Sequence, residues 1–355
     1  MLRIFDPDRT NSQAPLLDES DCATGDFSDT TPIAVFAFPR LGDFIMCHSL
    51  IQLLRQRYPN RPIDVVARRP GIEIAPLMPE VREAFEDTTL PGQLNLWPRI
   101  DLARRLRNKR YRSAYVVSRA WKAALIPAMA GIPERIGWWG EGRFLVINRP
   151  RWGEPPRHTG TLTRAAALGV RAGGRFLERW PAPKLVLSPA TMREWRSRHG
   201  IIDDGVPILA VAPGASALYK AWPCERFAVV AKHYARKGWR IWIVGDTRES
   251  GLASAIASAV GNAARVLIGN SVLDLACAIR GADVFLGNDS GPFHTAAALG
   301  KPCLGVFGPT DNRPINSQVR VIRMPATASG VPWPEPEAVI EELRAAIVDD
   351  RQAAA

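Results

Sequence analysis

Cysteine is scarce in this sequence, and its spacing suggests no pairing. Five cysteines (Cys22, Cys47, Cys224, Cys277, Cys303) are spread over 355 residues, with no C-x-x-C. An odd, scattered set argues against a disulfide framework or a thiolate zinc site and fits a reducing compartment. Long apolar runs are missing too. The most apolar stretch, Ala123 to Ile132, is short and contains Pro127, and no run reaches the roughly 18 residues of a membrane span. The opening residues carry Asp6, Asp8, Asp18, Glu19 and Asp21 where a signal peptide has a basic start and an apolar core, so none is expected. No G-x-G-x-x-G follows a strand pattern, and G-x-S-x-G, H-E-x-x-H and the D-x-D that holds a metal diphosphate are not found. A nicotinamide enzyme is therefore disfavoured, and neither a metal nor another cofactor is expected.

What is present reads as a globular protein: 46% of residues are apolar and 23% charged. At roughly 100–200 residues per domain, the length suggests two domains. The formal charge of +11 points to an anionic partner. Residues 1–30 hold seven acidic residues against Arg3 and Arg9 and show no period of 2 or 3.6, so an acidic flexible tail is expected there. Order begins at Thr31. Residues 33–38 (IAVFAF) read as a buried strand, 39–43 (PRLGD) as a turn, 48–58 as a helix and 63–67 as a second strand. That βαβ rhythm implies a parallel sheet. Residues 114–117 add a strand, and Pro-rich text at 150–156 and 181–189 reads as linkers. The rhythm then restarts. Strands are expected at 208–211, 239–244, 283–286 and 303–307, with helices at 225–237, 272–278 and 292–299. Residues 335–347 form an amphipathic terminal helix before a frayed Ala-rich end. The predicted fold is α/β, with two Rossmann-like βα domains at 31–185 and 186–330 and a C-terminal segment at 331–355.

Between Pro98 and His158, fourteen Arg and Lys face four acidic residues, with Trp121, Trp138, Trp139 and Trp152 among them. Such a stretch suits RNA, a phosphorylated glycolipid or a membrane face. A solvated helix followed by core tryptophans explains it as well.

Three motifs carry chemistry. In GNDSGPFHTAAALGKPCLGVFGPTD, Gly287 to Asp311, a strand leads into Asn288, Asp289, Ser290 and Gly291 and then a small-residue helix. Free N–H groups and partial positive charge at such a helix start suit a phosphate, with Asp289 or Ser290 as cap and His294 one turn in. A merely well-capped helix fits equally. In APGASALYKAWPCERF, Ala212 to Phe227, the turn through Ser216 exposes amides, and Lys220 is the cation that can neutralise a phosphate. Asp246 and Glu249, after another strand, are weak candidates for a ribose hydroxyl. In FPRLGDFIMCHSL, Phe38 to Leu50, Asp43 either caps the first helix or accepts a proton from a sugar hydroxyl, and Arg40 can contact an acidic acceptor. Cys47 and His48 read as packing.

These motifs, in this order from about residue 33 to 345, resemble glycosyltransferase family 9, the heptosyltransferases of lipopolysaccharide core synthesis. GDFIMCHSL and SRAWKAALIPAMAGIPERIGWWGE are most similar to members that add the second inner-core heptose. The resemblance implies a GT-B architecture with its site in a cleft and an ADP-heptose donor on the C-terminal domain. It also implies a lipopolysaccharide inner-core acceptor on the N-terminal domain, and inversion without metal. Carried over by motif position, Asp43 is the general base. Ser216, Lys220, Asp289, Ser290, Gly291 and His294 hold the donor diphosphate. Arg40, Arg119 and Lys122 are acceptor candidates. The basic segment would meet the acidic lipid acceptor from the cytoplasmic side of the inner membrane, leaving no role for nucleic acid. Other donors or acceptors within the family, or a nucleotide-sugar epimerase, are the alternatives.

Overall fold

The computed structural model describes residues 29–89, 93–140, 142–152, 160–172, 177–269, 271–327 and 330–354. The expected acidic tail, apart from Asp29 and Thr30, lies outside them, as does most of the first Pro-rich stretch. The chain divides into two compact units, with the boundary between Pro183 and Lys184.

The first unit holds a parallel sheet in the order β3-β2-β1-β4-β5-β6. Its strands are β1 (Ile33–Phe36), β2 (Ile63–Ala67), β3 (Val81–Glu86), β4 (Ser113–Val116), β5 (Glu134–Trp138) and β6 (Arg149–Arg151). β1 pairs with β2 on one side and β4 on the other, so the winding direction reverses there. β1, β2 and β4 are buried throughout; β1 is an unbroken apolar run, and the one charge in β2, Asp64, accepts from Arg82 at 2.9 Å and Tyr111 at 2.7 Å. Ala34, Phe36, Val66, Leu102, Leu106 and Val116 build the core of one face. The structure departs from the sequence reading in several places: β1 stops at Phe36, and β3 and β5 are strands where none is expected. PRLGD is not a turn throughout: a helix, Leu41–Met46, starts two residues after Pro39. Residues 149–151 form an edge strand that takes in Pro150 and Arg151 of the expected linker 150–156, and at an edge Pro150 is tolerated.

The second unit repeats the plan in the order β12-β11-β10-β7-β8-β9, again all parallel. Its strands are β7 (Ile208–Ala212), β8 (Arg240–Gly245), β9 (Ala264–Ile268), β10 (Val284–Asn288), β11 (Cys303–Phe307) and β12 (Val319–Arg323). Leu209, Val211, Ile241, Ile243, Val284, Leu286, Leu304 and Val306 meet Phe227, Val230 and Trp222 in one core. Val339 and Leu343 of the terminal helix, Pro336–Ala354, belong to that core. The helix runs on through the Ala-rich end instead of fraying at 347. Each such aliphatic side chain, fully buried, contributes about 1.5–3 kcal/mol. No helix among the described residues is long and apolar enough to cross a membrane.

Candidate functional site

In the second unit β7 and β10 are neighbours, with Val211 opposite Leu286 and Ala212 opposite Gly287. The sheet winds outward in both directions from this pair, so the loops leaving their C-terminal ends flank the topological switch point where open α/β sheets collect ligands. Asn288, fully buried, ends β10. Its Nδ2 donates to the Pro213 carbonyl at 2.8 Å, and its Oδ1 accepts from the Trp222 N–H at 3.1 Å. One amide thus closes the loop 213–222. Inside that loop the turn Leu218–Lys220 aims Lys220 back at the strand ends, and its Nζ donates to Asp289 Oδ2 at 2.6 Å. Asp289 Oδ1 lies 3.4 Å from His294 Nε2. The Asp289 side chain is 3% exposed. Burial opposes its charge, but His294 and then Lys220, by hydrogen bonding and charge, outweigh burial and hold the carboxyl at about 2.

The sequence offers Asp289 or Ser290 as the cap of the helix Gly291–Ala298, and neither side chain caps it. Asp289 is drawn to the Lys220 ammonium and the His294 ring instead. Ser290 occupies the N-cap position, but its buried Oγ has no hydrogen-bond partner among the described residues. Pro292 in the first turn brings no N–H and is preset for the helix. The helix start is thus left without a side-chain cap, beside an ammonium and a buried hydroxyl. The helix can lie close to the sheet because Gly305 has no side chain: a Cβ there would meet the Phe293 ring at 2.7 Å.

Other donor candidates separate. Ser216 is exposed on the bend of the 213–222 loop. Asp246 caps the turn Thr247–Glu249 and is bound by the Arg248 guanidinium, which lowers its carboxyl pKa. Glu249 completes the capping box, with Oε2 accepting from the Asp246 N–H at 3.2 Å. Its carboxylate fills the space that Gly214 and Gly245 leave open: a Cβ on either would fall within 2 Å of a carboxylate oxygen. Burial and the nearby Asp246 raise the Glu249 carboxyl.

In the first unit Asp43 is the third residue of the helix Leu41–Met46, half-buried, where the positive end of the helix favours a carboxylate. Arg40 precedes that helix and is exposed. Arg119 and Lys122 follow β4, which lies beside β1 with Val116 opposite Phe36. Parallel strands carry all four residues to one edge of the sheet. The Arg119 guanidinium packs over Gly140, where a Cβ would come within 3.1 Å of it; at φ +152° this backbone favours glycine. Cys47 and His48 are buried, as the packing reading requires. The Cys47 thiol is pushed up to about 12 by burial, with a smaller push from Asp43, and His48 Nε2 meets Glu80 at 2.6 Å.

Residues 99–330 match glycosyltransferase family 9 (heptosyltransferase). Lipopolysaccharide heptosyltransferase 2 of Escherichia coli is 32% identical over 298 residues, covering 80% of this chain and 85% of that protein. Lipooligosaccharide heptosyltransferase 2 of Haemophilus influenzae is 30% identical over 303 residues, covering 80% and 86%. The structure of E. coli ADP-heptose LPS heptosyltransferase II superposes with a TM-score of 0.80 at 28% identity, over 90% of this chain and 99% of that one.

The chain belongs to glycosyltransferase family 9.

It is a glycosyltransferase with the GT-B fold, as the motif resemblance implied. In this family 9 chain the sequence reading missed the role of Asn288, although the residue stands inside the quoted motif. Its partners, Pro213 and Trp222, lie 75 and 66 residues away. The reading also missed that the loop after β11 braces the Lys220 turn: a Cβ on Gly308 would sit 2.1 Å from the Tyr219 carbonyl oxygen.

Proposed function

We propose that this enzyme transfers heptose from ADP-L-glycero-D-manno-heptose to the inner core of lipopolysaccharide, adding the second heptose, with inversion and without a metal. The observation that carries this reading is the cluster at the β7/β10 switch point. There one ammonium, a buried hydroxyl and an uncapped helix start lie together, the donor set that a diphosphate needs. Likeness to enzymes named heptosyltransferase 2 supports the donor and acceptor classes.

In the proposed reaction Asp43 takes the proton of an acceptor hydroxyl. The oxygen attacks the anomeric carbon from the face opposite the diphosphate, and the bond to the β-phosphate oxygen breaks. Lys220 and the N–H groups at 291 and 293 take up the charge growing on the departing ADP, which is the role a metal fills elsewhere. Asp289 orients Lys220 and His294 toward that charge; as a buried carboxylate it is not itself a phosphate ligand. Glu249, better placed than Asp246, holds the ribose beside Gly214. Arg40, Arg119 and Lys122 receive the acidic acceptor, and the basic 98–158 segment steers it in from the cytoplasmic face of the inner membrane, a peripheral association.

Incubation with ADP-heptose and core lipid carrying one heptose or none, in EDTA, tests this reading by mass. A gain of one heptose on the mono-heptosylated lipid is expected, with inverted anomeric configuration by NMR. No gain with either lipid refutes the donor–acceptor assignment, and a strict requirement for added divalent ion refutes metal independence.

A further inference from the structure

Four tryptophans are exposed among the described residues, and all four follow one edge of the first sheet. Trp97 is 78% exposed, Trp152 66%, Trp139 41% and Trp121 40%. Trp97 opens the helix Leu96–Arg107, which comes after β3, and Trp121 opens a turn after β4. Trp139 and Trp152 stand one residue beyond β5 and β6. Because every strand is parallel, this is the C-terminal edge, the one that carries Asp43 beyond β1. The segments are tied to one another. Arg99 donates to the carbonyls of Leu94 at 2.6 Å and Lys122 at 2.7 Å, which joins the Trp97 and Trp121 segments. Arg119 lies over Gly140, which joins the ends of β4 and β5, and the rings of Trp139 and Trp152 stack at 4.5 Å.

Tryptophan is usually well covered, and a run of exposed indoles marks a surface that another phase or molecule covers. Arg40, Arg68, Arg119 and Lys122 stand on the same edge, so what covers it must accept indole rings and cations together. Lipid headgroups over an acyl boundary do so, the rings settling at headgroup level and the cations meeting anionic lipid. We propose that this edge docks on the surface of an anionic bilayer, with Trp97 and Trp152 entering the headgroup region. Docking by this edge would bring a lipid-anchored sugar to the side of the sheet that holds Asp43. The inference rests on the reading of the acceptor as a membrane glycolipid.

The test uses the full chain and phosphatidylglycerol/phosphatidylethanolamine vesicles in co-sedimentation, with phosphatidylcholine vesicles for comparison. Wild type should bind the anionic vesicles at least roughly tenfold better than the neutral ones, and brominated lipid should quench its fluorescence. W97S/W152S should lose roughly tenfold or more of that binding, and W97F/W152F should keep most of it. Both variants should transfer heptose to a deacylated, water-soluble acceptor at the wild-type rate. Wild type that transfers heptose yet stays off anionic vesicles overturns the docking proposal alone. So does W97S/W152S binding like wild type, or losing soluble transfer in proportion to binding, which would make the rim a sugar platform. Wild type that binds vesicles but transfers to neither soluble nor lipid acceptor overturns the functional reading and leaves docking standing.

Discussion

Lys220 and Asp289 form a buried pair whose geometry separates two roles. The ammonium can turn toward a diphosphate; the carboxylate can only hold it in place. Lys220→Ala is expected to weaken ADP binding and lower kcat/KM by roughly 10²-fold, because it removes a donor aimed at charge that grows in the transition state. Calorimetry with ADP and steady-state kinetics check this. Asp289 supplies a pH signature. Its folded carboxyl, at about 2, lies below the ordinary 3.8, so its stabilising contribution is present above about pH 4 and is lost as pH falls toward 2. That contribution is about 2 kcal/mol. The melting-temperature gap between wild type and Asp289→Asn should therefore be full at pH 6 and close between pH 4 and 2. Asp43→Ala should cut kcat by roughly 10²–10⁴ and leave ADP affinity unchanged. Near-normal turnover would remove Asp43 from the chemistry. The Asp289-Ser290-Gly291 run was legible because a strand, a turn and a small-residue helix follow one another in the text. The pairing of Asp289 with Lys220 was not, since it depends on β10 lying beside β7 and no local pattern records that.

Strands with continuous apolar sequence, such as β1 and β11, could be read directly. Five strands were missed. β3 (VREAFE), β6 (RPR), β9 (ARVLI) and β12 (VRVIR) close the edges of the two sheets and carry arginine or proline, so their text lacks the signature of a buried strand; β5 (ERIGW) is interior, but Glu134, Arg135 and Gly137 break its apolar run. The helix Leu41–Met46 hid behind Pro39 and Gly42, both of which read as turn residues. Yet Gly42 is buried within the helix. Bracing of one loop by another is likewise invisible in sequence, and it yields a test. Gly308→Ala places a methyl group 2.1 Å from the Tyr219 carbonyl, so the turn bearing Lys220 must shift. The expected cost is about 1–3 kcal/mol of stability. A roughly tenfold loss of ADP affinity should accompany it, since a displaced cation forfeits about 1.4 kcal/mol or more of binding. Unchanged affinity by calorimetry would separate the 308–310 loop from the donor site.

Two units with separate cores divide the labour. The donor candidates all belong to the second, the acid-base candidate to the first. Hydrogen exchange with saturating ADP should therefore slow amides in 213–222 and 288–294, while 33–47 exchanges as before. At about a hundredfold excess over Kd, the protection from global opening approaches 2.7 kcal/mol. Protection centred on residues 33–47 would move the nucleotide to the other unit. The two-domain plan was legible from the repeated βα rhythm; the sheet orders, which fix the switch points, were not. The single amide of Asn288 has a further consequence. Because it clasps both ends of the 213–222 loop, and the Leu218–Lys220 turn aims the ammonium, the side chains of Ala215 and Ser216 need not specify where Lys220 stands. Those positions can be rewritten to suit a different nucleobase or sugar while the phosphate grip is kept, which makes them the natural library for retargeting the enzyme to new donors.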